Sequence, residues 1–104
     1  MSLFCVSGRC PISQEPTLEF LAASKATLER LGALHADGVI KAGGVMVGPL
    51  GVLFVAECTD NEALHLLLTT LPSFRFADWE VMPLIPFHRD IEMSLDAALA
   101  SSKS

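Results

Sequence analysis

The stretch Val39-Ile40-Lys41-Ala42-Gly43-Gly44-Val45-Met46-Val47-Gly48-Pro49-Leu50-Gly51-Val52-Leu53-Phe54-Val55-Ala56-Glu57-Cys58 holds two apolar runs split by Gly48 and Pro49. Such punctuation marks a hairpin between antiparallel strands, here Val39–Val47 and Leu50–Cys58. Successive side chains of a strand point to opposite faces, so a sheet with one wet face alternates apolar and polar residues. Val52 to Ala56 does not alternate, and neither does Val45-Met46-Val47. Both faces of this hairpin must therefore be kept from water.

Outward from the hairpin, the remaining elements follow from periodicity and breakers. Leu3 to Gly8 is a short run of strand formers, apolar at both parities in Leu3-Phe4-Cys5-Val6 and closed by the turn-prone Cys10-Pro11-Ile12-Ser13. Thr17 to Asp37 carries leucines at 18, 21, 28, 31 and 34, with Thr17 placed to cap a helix and Gly38 placed to stop it. Gly32 inside it implies a close neighbour or a bend. Thr59-Asp60-Asn61-Glu62 has the form of a capping box opening on Thr59, and leucines 64, 67, 68 and 71 give a second helix that Pro72 ends. Phe76 to Ile85 is a fourth strand, with Pro83 and Pro86 placing its far end at an edge.

The order strand, helix, strand, strand, helix, strand is that of an α+β, ferredoxin-like βαββαβ fold with a four-stranded antiparallel sheet. Residues 1–88 form this domain. Residues 89–104 form a C-terminal tail, helical from Asp90 to Leu99 with Ile91, Leu95 and Leu99 four apart, and with the closing Ala100 to Ser104 expected to fray. Two helices cover only one face of such a sheet, and a soluble monomer rarely leaves the other one bare. A homodimer is the expected cover, with the tail folding back over the sheet as the alternative.

Composition excludes several classes. At 104 residues the chain holds a single core, and with 51% apolar and 18% charged residues it is too apolar for a disordered segment. A net charge of −5, seven Lys and Arg against twelve Asp and Glu, disfavours nucleic acid and anionic membranes as partners. No apolar run reaches the roughly 20 residues of a bilayer span, and no leader pattern opens the chain, so a cytoplasmic location is expected. Cys5, Cys10 and Cys58 match neither zinc nor redox spacing and are expected to be reduced packing residues; no metal is expected.

Three segments carry a family likeness. Thr59-Asp60-Asn61-Glu62-Ala63-Leu64-His65, Leu71-Pro72-Ser73-Phe74 and Asp78-Trp79-Glu80-Val81-Met82-Pro83-Leu84 resemble the corresponding parts of muconolactone isomerases. Leu3 to Val6 and the helix exit Asp37-Gly38 fit the same pattern, so the resemblance covers roughly residues 3 to 88. It implies the dimeric α+β barrel, in which two sheets face each other, dimers assemble into rings such as a decamer, and a pocket lies between sheet and helices near a subunit boundary. It also implies a cofactor-free shift of a double bond in a small lactone or carboxylated cyclic metabolite by proton transfer. More distantly, Leu34-His35-Ala36-Asp37-Gly38 and the Pro83 to Phe87 end resemble YciI-like proteins of the same fold. Along strand two, where isomerases of the family carry Trp, Arg and His, this chain keeps only Lys41 as a charge, and the acidic residues of their first helix find Ser24 and Lys25 here.

Proton transfer beside a carbonyl needs a base and a group that stabilises the enolate. Lys41, alone in an apolar strand, and His65, in the Ala-Leu-His of the second helix, are the candidate catalytic residues. The alternatives are a lysine snorkelling to the sheet edge and a histidine held by a structural hydrogen bond. Arg9, Phe74, Arg75 and Trp79 are the candidate substrate-binding residues; a surface ion pair is the alternative for Arg9 and a loop salt bridge for Arg75. His35 in the last turn of helix one has an ordinary reason to be there, the helix C-terminal dipole. Gly43-Gly44 suggests a bulge or close packing of a ligand against the strand. A binding or assembly protein without chemistry, or a cofactor-free oxygenase or cyclase, is the alternative on the same barrel.

Overall fold

The computed structural model describes residues 1–102, apart from the side chain of Ser102. Strands β1 (Ser2–Arg9), β2 (Ile40–Val45), β3 (Gly51–Cys58) and β4 (Asp78–Leu84) alternate with helices α1 (Leu18–Ala36) and α2 (Asn61–Thr69), and α3 (Phe87–Ser102) follows. The strands form one antiparallel sheet in the order β2-β3-β1-β4. This is the expected ferredoxin-like α+β arrangement.

Local chemistry fixes the boundaries. The Thr17 hydroxyl accepts the Phe20 amide at 3.1 Å and opens α1. At its other end Gly38 takes φ +83°, its amide bonds the His35 carbonyl, and the Val39 amide reaches back to Leu34, a double closure that favours glycine. The start of α2 corrects the sequence expectation. Asp60, not Thr59, is the cap, its carboxylate accepting from the Ala63 amide at 2.9 Å. An anion is the better cap against the helix dipole. The hairpin turns at Gly48, φ +97°, and the Met46 amide bonds the Gly51 carbonyl. The irregularity of β2 falls at Lys41, between the pairs Ile40–Ala56 and Ala42–Val55, and not at the glycines.

Register separates the two faces. Phe4 and Val6 of β1 and Phe54, Ala56 and Cys58 of β3 point to the helices, where with Leu34, Ile40, Leu64, Leu68 and Leu71 they form the core. The opposite face carries Leu3, Cys5, Leu53, Val55, Met82 and Leu84. In the single chain it lies open, with Leu53 47% and Met82 64% exposed.

The tail helix starts at Phe87, earlier than the expected Asp90, because the Arg89 and Asp90 amides bond the Pro86 carbonyl. It does not fold back over the sheet; its residues through Ser101 are exposed and the molecule measures 64 × 29 × 23 Å. The expected fraying of the end falls partly on Lys103 and Ser104, outside the described residues. No helix among the described residues is long and apolar enough to cross a membrane.

Candidate functional site

A cleft opens between α1 and the sheet because the strand under it is nearly bare. Beyond Ile40, β2 is exposed to its end, and Gly32 on α1 and Gly43 on β2, which pairs with the inward Phe54, put no side chain into the gap. Gly43 is tightly placed: a Cβ there would lie 2.6 Å from the Leu53 carbonyl oxygen and from the Phe54 Cβ. The cleft has two chambers. One, of about 190 Å³, runs along Leu28, Leu31, Gly32 and His35 of α1 against β2 and β3. The other, of about 90 Å³, is closed by Ser24 and Thr27 of α1, Cys10, Ser73 and Trp79. Leu28, Val45 and Val52 line both.

The smaller chamber carries the polar groups. Thr27 and Ser73 are both buried, and their hydroxyls share one hydrogen bond of 2.8 Å while the Ser73 amide donates to the Thr27 hydroxyl oxygen at 2.8 Å. Trp79 donates its indole N–H to the Phe74 carbonyl at 3.1 Å and stacks on the Phe74 ring, centroids 6.3 Å apart. Its ring lies against β1 only because residue 8 is glycine; a Cβ there would sit 2.4 Å from the indole. Burial, with the Asp78 carboxylate adding to it, pushes the Cys10 thiol up. Cys10 therefore stays protonated near neutrality, a weak donor and not a nucleophile.

The candidate residues do not converge. Lys41 pairs at 4.0 Å with Glu57, whose register places it on the open face of the sheet, while His65 sits on α2 over the covered face. There His65 borders a shallow hollow with Asn61, Glu62 and Leu66 and stands edge-on to Phe74. Arg9 ends β1 with its guanidinium 4.0 Å from the Met46 sulfur. Arg75 pairs with Glu19 and lies 4.7 Å over the Phe76 ring. Phe74 backs Trp79, and of the six only Trp79 lines the cleft. Sequence reasoning passed over Ser73 as a loop residue and did not pair Thr27 with it. Phe20, Thr27 and Leu34, the buried residues of α1, stand seven apart, and that spacing is the signal that would have turned Thr27 inward. Among the described residues no three His, Cys, Asp or Glu side chains gather as a metal site would require.

Comparison with known proteins agrees with this architecture. No curated protein matches the chain. A crystal structure of muconolactone isomerase superposes with a TM-score of 0.67 at 26% identity, over 82% of this chain and 92% of that one. The 5-chloro-2-hydroxyhydroquinone dehydrochlorinase of Burkholderia phenoliruptrix, solved with 2,5-dihydroxybenzoquinone, shares the fold: TM-score 0.61 at 16% identity, over 80% of this chain and 93% of that one. The family model for muconolactone delta-isomerase matches residues 3–90, and the chain belongs to that family.

Proposed function

We propose that the protein binds a small cyclic metabolite, of lactone size, in the cleft between α1 and the sheet. The observation that carries this reading is the chamber walled by Trp79 and holding the paired hydroxyls of Thr27 and Ser73. Mostly apolar walls with a few placed polar groups are what small-molecule sites share. A second reading, the family's cofactor-free double-bond shift, is favoured by His35. It is the one histidine among the described residues that lines the cleft, and histidine is the side chain best suited to carry a proton at neutral pH. His35 lies eight residues beyond Thr27, about 12 Å along the helix, so it serves a ligand seated in the larger chamber.

One experiment separates the two. Unsaturated lactones, muconolactone among them, are incubated with the protein in D₂O and followed by NMR. Line broadening alone is the result expected of a binding protein. Deuterium uptake beside the carbonyl or movement of the double bond, lost in His35→Gln with binding retained, is the result expected of an isomerase. Neither effect at millimolar ligand would remove both readings.

The same proposal includes self-association. The open face of Leu3, Cys5, Leu53, Val55, Met82 and Leu84 is apolar at its centre, with the Lys41–Glu57 pair at one border and Arg9, Asp78 and Glu80 at the other end. A stable interface buries roughly 800 Å² per partner, and a second copy laid on this face is its proposed cover.

A further inference from the structure

We infer that the ligand of this cleft is an uncharged ring bearing a carbonyl, and that the site discriminates against carboxylates; the inference rests on the reading of the cleft as a ligand site. Among the described residues no lysine or arginine lines either chamber. Of the neighbouring cations, Lys41 pairs with Glu57, Arg75 with Glu19 and Lys25 with Glu29, and Arg9 lies against Met46. A carboxylate entering an apolar chamber without a cation loses its hydration and gains no counter-charge. The Asp78 carboxylate, felt at Cys10 in the chamber wall, and the net charge of −5 add repulsion.

A carbonyl, in contrast, meets a waiting donor. Thr27 and Ser73 have two hydroxyl protons and one hydrogen bond between them, so one O–H is left without an acceptor among the described residues. Ser73 is 7% exposed and both residues line the smaller chamber, so water competes poorly for that proton. The indole of Trp79, packed on Gly8 and stacked on Phe74, supplies a fixed apolar wall for the ring.

The test uses the full chain at pH 7.5 with three probes, muconolactone as the free carboxylate, its methyl ester and the uncharged γ-crotonolactone, measured by titration calorimetry or ligand-observed NMR. The ester is expected to bind at least about tenfold more tightly than the acid. Ser73→Ala, which keeps the amide bond to Thr27, is expected to weaken the uncharged probes about three- to tenfold. Leu28→Arg places a cation between the chambers at a half-exposed position and is expected to restore the acid. An acid that binds the unmodified protein as tightly as its ester would overturn the inference while leaving the cleft a ligand site. Failure of all three probes to bind would overturn the ligand site itself, and this inference with it.

Discussion

Thr27 ties two distant parts of the chain together. Its hydroxyl accepts the amide of Ser73, 46 residues away, and so joins the middle of α1 to the turn after α2. Thr27→Val keeps the shape and leaves that buried amide without an acceptor, an arrangement that costs about 1–3 kcal/mol. Urea unfolding is expected to show a loss of that size, with Thr27→Ser close to the unmodified protein; an unchanged midpoint in the valine variant would mean the bond contributes nothing. At this scale the sequence was only half legible. The inward position of Thr27 is written in its spacing from Phe20 and Leu34. Its partner is not, because nothing local to Pro72-Ser73 marks a residue that the fold alone brings under α1. Lys41 shows the same limit: its lone charge was visible, but Glu57 became its partner only through the pairing of β2 with β3.

The elements were far more legible, because glycine, proline and leucine spacing act locally. Gly38 and Gly48 stop or turn the chain where the sequence placed them, both at positive φ. The start of α2 escaped because Thr59 and Asp60 are both good caps, and the capping-box spacing does not weigh the carboxylate's advantage against the helix dipole. The start of α3 escaped because Pro86 offers its carbonyl to the first turn, which no side-chain pattern announces. Phe87, Ile91, Leu95 and Leu99 run along α3, and Phe87 is 92% exposed, so this helix adds nothing to the core of its own chain. A chain ending at Pro86 is accordingly expected to keep the unfolding free energy of the full chain, measured in urea, to within about 0.5 kcal/mol, the usual range for changes remote from a core. Failure of the shortened chain to fold would contradict this placement of α3.

The whole molecule is governed by a sheet that is apolar on both sides. The radius of gyration, 17.5 Å, exceeds the roughly 13 Å of a compact domain this size because α3 projects from the body. Helices cover one face of the sheet and leave the cleft beside β2; the other face keeps Leu53, Val55, Met82 and their neighbours in the open. That second face was visible in the failure of the strands to alternate, since burial on both sides is a property of the residues before it is one of the fold. The account stands on the closure of this face by a second copy. Sedimentation velocity at micromolar concentration tests it most directly: the expected result is a species of twice the single-chain mass or a multiple of it, and a stable single chain across that range would contradict it.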